Sequence, residues 1–422
     1  LYEYDLAIDT GDTAWMLIAS SLVLLMIPSL GLFEAGLLRK KNTVSIFMQI
    51  FFGMALLSVM WFIFGFSLSF GPDTSGLAGN LDWTFLKGIP WDDALKQYAP
   101  SIPGVLFVKF EMMFAVITPL LLTGAIAERM KFSAFVLFIA AWSLLVYYPL
   151  VHWVWGVGGW LNNIGVKDFA GGIVIHTSAG MGALAAALVL GRRKDFGPSI
   201  MVPHSIPLAV LGSSLLWLGW FGFNAGSALA SGGVAGNTVI NTHMASAVSA
   251  LIWVGLSWMR TGKPSVIAAI NGAIAGLAGI TPASGYVSVE HAFAIGIAIG
   301  IASYLGVLFL KDRLKIDDAL DVSSIHGIAG IIGAISIGIF ASTAINPTGV
   351  NGLLYGNPHQ LLIQAIGVGV AAALGFGGTY AIMKVIDVLI GVRVSPKVES
   401  AGLDIEEHAE RAYSDDDELS KI

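Results

Sequence analysis

Apolar runs, each about as long as a membrane crossing, alternate with short polar connections along most of the chain. A helix of about 20 apolar residues crosses a hydrocarbon core of about 30 Å. Eleven stretches meet that measure, roughly 13–33, 46–70, 103–127, 132–153, 170–190, 205–225, 243–260, 265–280, 289–310, 325–342 and 360–390. The eighth is short and rich in Gly and Ala, so its ends are the least defined. The pattern predicts an all-α integral membrane domain over residues 1–392 and a polar tail over 393–422.

The polar connections alternate in charge as well. Every second one is basic: Arg39, Lys40 and Lys41; Arg129 and Lys131; Arg192, Arg193 and Lys194; Arg260 and Lys263; Lys311, Arg313 and Lys315. The others carry only Lys87, Lys96 and Lys167. Basic loops stay on the cytoplasmic side. This bias predicts an outer N-terminus and an inner C-terminus, which requires an odd number of crossings.

Composition sharpens the class. The chain is 56% hydrophobic and 12% charged, against about 25% charged in soluble domains. Its net charge of −6 comes largely from one outer loop and the tail. No basic patch interleaved with aromatics suggests nucleic acid as a partner. With no cysteine, disulfides, zinc–thiolate sites and iron–sulfur clusters are excluded. The 51 glycines suit close helix packing. Because the chain begins at Leu1, removal of an N-terminal piece is expected.

The loop from Gly71 to Pro100 holds Asp73, Asp82, Asp92 and Asp93 against two lysines. It reads as a solvated loop or as an acidic vestibule that concentrates cations. In the tail, Ala401–Tyr413 reads as a short helix or docking strip, and the final SDDDELSKI as disordered.

Two histidines stand inside apolar spans. His176 lies in the fifth, within DFAGGIVIHTSAGMGALAAALVLGRRK, and His326 in the tenth, within SSIHGIAGIIGAISIGIFA. Ionisable groups within a bilayer usually face a cavity. A satisfied core histidine is the plainer alternative, but two such residues in matched settings favour a pore lining. Neutral imidazole has one donor and one acceptor nitrogen, so a pair can pass a small polar solute or relay a proton. A metal site has no cysteine and no third ligand nearby in sequence. Five spans apart means opposite insertion directions, as an inverted repeat of five helices predicts.

Other residues are candidates on type and position. Asp168 opens the fifth span and reads as a helix N-cap or as a buried carboxylate that draws cations to the outer vestibule. Phe110 and Phe114 share one helical face. With a nearby Trp they can hold a small cation by cation–π attraction. Trp153 and Trp155 follow the fourth span, and Trp220, Phe221 and Phe223 lie in the sixth, where aromatic belts are the ordinary explanation. Ser227 can accept a hydrogen bond at the same level. Lys109 and Glu111 do not face one another, so each needs a partner from another helix or from water. Glu34 reads as structural beside Arg39–Lys41, and His152, His243, His291 and His359 read as interfacial.

These motifs resemble the ammonium transporter family (Amt/Mep/Rh) over nearly the whole chain. The carriers are the His176 stretch, GLFEAGLLRKKN, ITPLLLTGAIAERMKFSA, GWFGFNAGSA, NGAIAGLAGITPASGYV, DDALDVSSIHGIAG and GLDIEEHAERAY. The resemblance implies eleven helices in a five-plus-five inverted repeat, and a homotrimer with one pore per subunit. It implies an outer recruitment site at Phe110, Trp155 and Ser227 above Asp168, gating rings at Phe114 and Phe223, and twin pore histidines at His176 and His326. The tail motif, with Gly402, Leu403, Asp404, Glu407 and His408, implies regulation, with a trimeric PII protein as a possible partner at the cytoplasmic face. The chain departs from the family pattern at three places: Glu111 stands where Gln is usual, Lys109 where a small residue is usual, and the pair Ser323 and Ser324 where an aromatic precedes the second histidine.

Magnitudes constrain what such a site does. Burying a bare ammonium ion in a low-dielectric core costs tens of kcal/mol. Cation–π attraction returns only about 2 kcal/mol. An aromatic mouth can therefore recruit the ion, but a dry pore passes only neutral ammonia. The expectation is recruitment of ammonium, loss of its proton, and passage of ammonia past the histidines, with or without relay of the proton. Two other classes stay open: an ammonium sensor signalling through its tail, and an enzyme using Asp and His as base and acid. The enzyme reading lacks a nucleophile, metal or cofactor motif. The expected address is the cell (plasma or inner) membrane, with multiple passes.

Overall fold

The structure, a computed structural model, describes residues 8–197 and 202–413. Among the described residues, ten helices are long and apolar enough to cross a membrane, and one further apolar helix is shorter. In chain order they are α1 (Thr10–Leu37), α2 (Lys40–Phe70), α3 (Gly104–Ile126), α4 (Phe132–Asn163), α5 (Gly172–Leu190) and α6 (Ile206–Gly226), then α7 (Gly233–Thr261), α8 (Val266–Ile280), α9 (Val289–Arg313), α10 (Ser323–Phe340) and α11 (His359–Ile390). At 1.5 Å per residue, α8 is about 22 Å long, and almost all of it is buried.

Helix positions follow the apolar pattern closely, with instructive differences at the ends. Helix α7 begins ten residues before the predicted 243–260 span, at Gly233. Its extra turns read as polar because they hold Asn237, Thr238, Asn241 and Thr242. Their donor groups find partners inside the protein. Asn241 donates to the carbonyls of Ser284 and Val287, and Thr238 and Thr242 bond back to their own helix. At the other end of the chain, Asp9 caps α1, its carboxylate accepting from the Asp12 N–H at 2.8 Å.

The loop of residues 71–103 is built rather than simply solvated. It forms two small antiparallel hairpins, β1 (Asp73–Thr74) with β2 (Ala78–Gly79), and β3 (Ala94–Leu95) with β4 (Ala99–Pro103). His152 of α4 pins the first of them. Its ring nitrogens lie 2.8 Å from Asp73 Oδ1 and 3.0 Å from the Ser69 carbonyl. His152 is fully buried, so the interfacial assignment is corrected: it fastens the first hairpin to α4.

Several helix pairs meet backbone to backbone, and two of these contacts matter most for the site. On α6, a methyl on Gly212 would strike the Phe33 backbone of α1. On α5, a methyl on Gly180 would strike the backbone of Gly327 on α10. Helices α1 and α6 thus pack together, and so do α5 and α10. The second contact brings the two histidines into one place.

At the end opposite the hairpins, the tail folds back as two short helices, α12 (Pro396–Ala401) and α13 (Leu403–His408). The SDDDELSKI expectation concerns residues 414–422, which lie outside the described residues.

Candidate functional site: a file of aromatic and histidine side chains

The local sequence around each histidine sets its position in the same way. Asp168 stands eight residues before His176, and Asp318 eight before His326. Three residues after each Asp the chain turns left-handed, at Gly171 (φ 112°) and at Asp321 (φ 62°). Glycine takes that conformation freely, and Asp is among the few other residues that visit it. The carbonyl at each left-handed residue accepts from the N–H four positions on, at Ile175 (2.8 Å) and at Ile325 (2.9 Å). Each histidine then rides in a widened π-helical turn, Gly172–Thr177 or Ser323–Ile328. Such turns are rare and concentrate at functional sites.

The two imidazoles meet. Their Nδ1 atoms are 3.2 Å apart, and their rings stack with centroids 5.2 Å apart. One nitrogen of that pair must donate and the other accept. His176 Nε2 is buried with no partner among the described residues. The His176 ring also lies against Trp220 at 5.6 Å and Phe223 at 6.0 Å. Beside the pair is a cavity of about 20 Å³, lined by His176, His326, Trp220, Phe223, Ile175 and Leu216 among others. A water-sized molecule needs about 10–15 Å³ measured this way, so one small solute fits.

Toward the hairpins, aromatic rings close the file. Phe114 and Phe223 lie 4.4 Å apart between centroids, and Trp155 stands 6.3 Å from Phe114. Beyond them opens a cavity of about 170 Å³, lined by Phe107, Glu111, Phe114, Trp155, Asp168 and Ser227 among others. Trp155 Nε1 donates to the Asp168 carbonyl at 2.8 Å, which sets the indole over the cavity. The Ser227 hydroxyl donates inward to the Phe223 carbonyl at 3.0 Å, leaving its oxygen free to accept. Phe110 stands outside the lining: it is fully buried, edge-on behind Phe114 at 4.8 Å. Helix α3 instead presents Phe107, Glu111 and Phe114, at positions i, i+4 and i+7.

The Asp168 carboxylate is an N-cap in full. Oδ1 accepts from the Gly171 and Gly172 N–H groups, and Oδ2 from those of Ile173 and Val174, all at 2.7–3.0 Å. Lys109 is turned to Met113, with Nζ 3.7 Å from its sulfur. Glu34, expected to be structural, accepts from the Thr123 hydroxyl at 2.8 Å. Arg39 pairs with Glu128 at 3.0 Å and Asp195 at 3.2 Å.

The opposite mouth is wider and basic, a cavity of about 600 Å³ lined by Arg192, Arg193, Lys311, Lys315, Asp312 and Asp321 among others. Arg193 bridges Glu128 and Asp317, each at 2.7 Å. Burial pushes the Glu128 carboxyl up, but the Arg193 and Arg39 charges outweigh it and hold it at about 2. Because Arg193 follows α5 and Asp317 precedes α10, this pair ties together the two histidine-bearing helices.

The tail lies on the same face. Asp404 accepts from the Ser45 N–H and Glu407 from the Phe132 N–H, so tail carboxylates cap the starts of α2 and α4. Leu403 donates its N–H to Asn42, Gly402 lies against the Lys41 backbone, and the His408 ring meets Phe132 edge-on at 5.2 Å. Sequence reasoning missed Asp318, whose signal was the shared eight-residue spacing, and Phe107, whose signal was the α3 face. Tyr98, which also lines the hairpin-side cavity, comes from a distant loop and left no signal.

A family model described as the Ammonium Transporter Family matches residues 14–413. Ammonium transporter 1 of Dictyostelium discoideum is 52% identical over 408 residues, covering 96% of this chain and 88% of that protein. The crystal structure of Saccharomyces cerevisiae Mep2 superposes with a TM-score of 0.87 at 33% identity, covering 93% of this chain and 89% of that one. A structure titled Sensor Amt Protein gives 0.87 at 32% identity, covering 94% and 98%.

Proposed function

This chain belongs to the ammonium transporter family and is a multi-pass protein of the cell membrane that transports ammonium; we propose that it binds the ion at the hairpin side, removes its proton, and passes ammonia between the histidines. The observation that carries this reading is the hydrogen-bonded His176–His326 pair beside a cavity for one small solute, sealed by Phe114 and Phe223. Any charge entering that dry space bears the full desolvation cost. Ammonia enters with only hydrogen bonds to satisfy, and His176 Nε2 is free to supply one.

In this reading α8 also crosses, giving eleven passes with the N-terminus and hairpins outside and the tail inside. The alternation of basic connections supports that orientation. The matched Asp–left-handed turn–histidine units support a five-plus-five inverted repeat. Phe110 acts behind the recruitment site, while Trp155, Ser227 and Asp168 shape it. The histidine pair relays the abandoned proton, making net transport electrogenic. The chain works as a homotrimer, and the basic mouth and docked tail receive a PII protein. Transport requires no enzyme chemistry and no cofactor.

Ammonium-jump measurements on proteoliposomes test the mechanism. Ammonium-dependent current over empty-liposome controls is expected. A change in lumenal pH without current would replace the relay by neutral ammonia conduction. The likeness to a structure titled as a sensor, together with the tail's capping of α2 and α4, gives the second reading, an ammonium sensor with a cytoplasmic output. Tight ammonium binding without flux or current would favour it.

A further inference from the structure

The hairpin-side cavity holds two carboxylates in very different states. Asp168 is saturated. A carboxylate offers about four lone-pair sites, and here four backbone N–H groups take them. Those N–H groups also begin α5, where the helix carries about half a positive charge. Asp168 has therefore no acceptor left for a ligand, and much of its charge is already answered.

Glu111 is the reverse. Its side chain lines the same cavity, and its Oε2 is shut away from solvent with no hydrogen-bond partner. Among the described residues no cation pairs with it. Lys109, the nearest base in sequence, is turned to Met113. The other polar groups in the cavity are the Tyr98 phenol, committed to the Phe70 carbonyl, and the Ser227 hydroxyl, committed to the Phe223 carbonyl. An unpaired buried carboxylate is costly, so the group takes up its charge only with a partner, and a cation small enough to enter and rich in N–H donors supplies one.

Resting on the reading of this cavity as the place where ammonium is held, we propose that Glu111 is the substrate-binding counter-charge of that site. The ion donates one N–H to the Glu111 carboxylate while its other faces meet Trp155, Phe107 and the Ser227 oxygen. Asp168 positions the wall and the helix start and does not bond the ion. Glu111 thereby makes this cavity a tighter trap than a neutral aromatic cage held by cation–π attraction alone.

The test is ammonium-dependent flux in proteoliposomes holding the full chain, over a range of ammonium concentrations. The variants are Glu111→Gln, which keeps the shape and removes the charge, Glu111→Asp, and Trp155→Ala. A hydrogen bond to a charged group is worth about ten- to a hundredfold in affinity. Glu111→Gln should therefore raise the half-saturating concentration about tenfold or more, with maximal flux within about twofold. Glu111→Asp should recover most of the difference. Unchanged half-saturation in Glu111→Gln beside a raised value in Trp155→Ala overturns the counter-charge and keeps the cavity as the substrate site. Unchanged values in both variants overturn the cavity reading itself, and the proposal with it. A drop in maximal flux with half-saturation unmoved also overturns it, since the residue would then serve conduction rather than binding. Should thermal melting show Glu111→Gln unfolded, Glu111→Met, uncharged and of similar length, decides: a raised half-saturation supports the counter-charge, and an unmoved one overturns it.

Discussion

The starts of α5 and α10 share a plan but are finished differently. Each has an Asp, a left-handed residue three positions on, and a histidine eight positions on. In α5 the Asp168 carboxylate gathers four consecutive backbone N–H groups. Two glycines after it leave room for the chain to wrap so tightly. In α10 only Asp318 Oδ2 is engaged, by the N–H and hydroxyl of Ser323, and Oδ1 has no partner. Ser323, at a departure from the family pattern, thus completes the cap with a side chain where α5 uses backbone alone. The left-handed position differs too, since Asp321 adds an ion pair with Lys311 at 2.7 Å that glycine cannot make. The start of α5 is held by one carboxylate on four backbone N–H groups and the start of α10 by the Ser323 and Lys311 side chains, yet both deliver an imidazole to the same point.

The largest expected effect would break the equivalence of the two halves. His176→Leu and His326→Leu should each abolish ammonium-dependent current in proteoliposomes, because either loss interrupts the 3.2 Å contact. Current persisting in one variant would assign the proton path to a single half.

Capping should separate the halves next. Asp168→Ala leaves four buried N–H groups orphaned, at about 1–3 kcal/mol each. A severe loss of folded protein in detergent is expected, measured by size-exclusion yield and thermal melting. Asp318→Ala should cost about half as much or less, since it serves only Ser323. Equal losses would show that the difference in capping carries no energetic weight.

The contact between the halves should also be lopsided. A methyl on Gly180 meets the Gly327 backbone head-on, whereas a methyl on Gly327 comes only to 3.2 Å of Gly180. Gly180→Ala is expected to lower the melting temperature and the flux, at about 1–3 kcal/mol of overpacking. Gly327→Ala should be milder in both assays.

The smallest effect concerns the tie between the halves at the basic mouth. The Glu128 carboxyl is held at about 2, below its ordinary 4.5. A depressed carboxyl contributes stability above its unfolded pKa and loses it as pH falls toward the folded value. Acid melting between about pH 4.5 and pH 2 should therefore be blunted in Glu128→Gln, which should already be less stable at neutral pH. Identical acid profiles would remove Glu128 from the tie.

Most of the helix placement was legible because bilayer-length apolar runs leave a signal that nothing else imitates. The gaps arose where polar residues sit inside helices. Asn241 and Thr242 read as loop only because their partners at Ser284, Val287 and Thr238 are invisible along the chain. The histidines and the cap at Asp168 could be found from type and local spacing. The lining could not be completed that way: Phe110 and Phe107 both face inward from α3, and only the rotation of the helix decides which one meets the cavity.

Hydrophobic length, the alternation of basic connections and the Asp-to-His spacing are properties of consecutive residues, and the sequence by itself determined them: a multi-pass helical membrane protein with two matched buried histidines. The tertiary structure decided that these histidines touch, that Phe114 and Phe223 seal the space above them, and that Asp168 is saturated while Glu111 is left without a partner. The physical reason is that a hydrogen bond or a ring contact depends on positions in space. His176 and His326 stand 150 positions apart, and contacts in space such as the backbone approach at Gly180 and Gly327 and the Arg193–Asp317 pair bring them together.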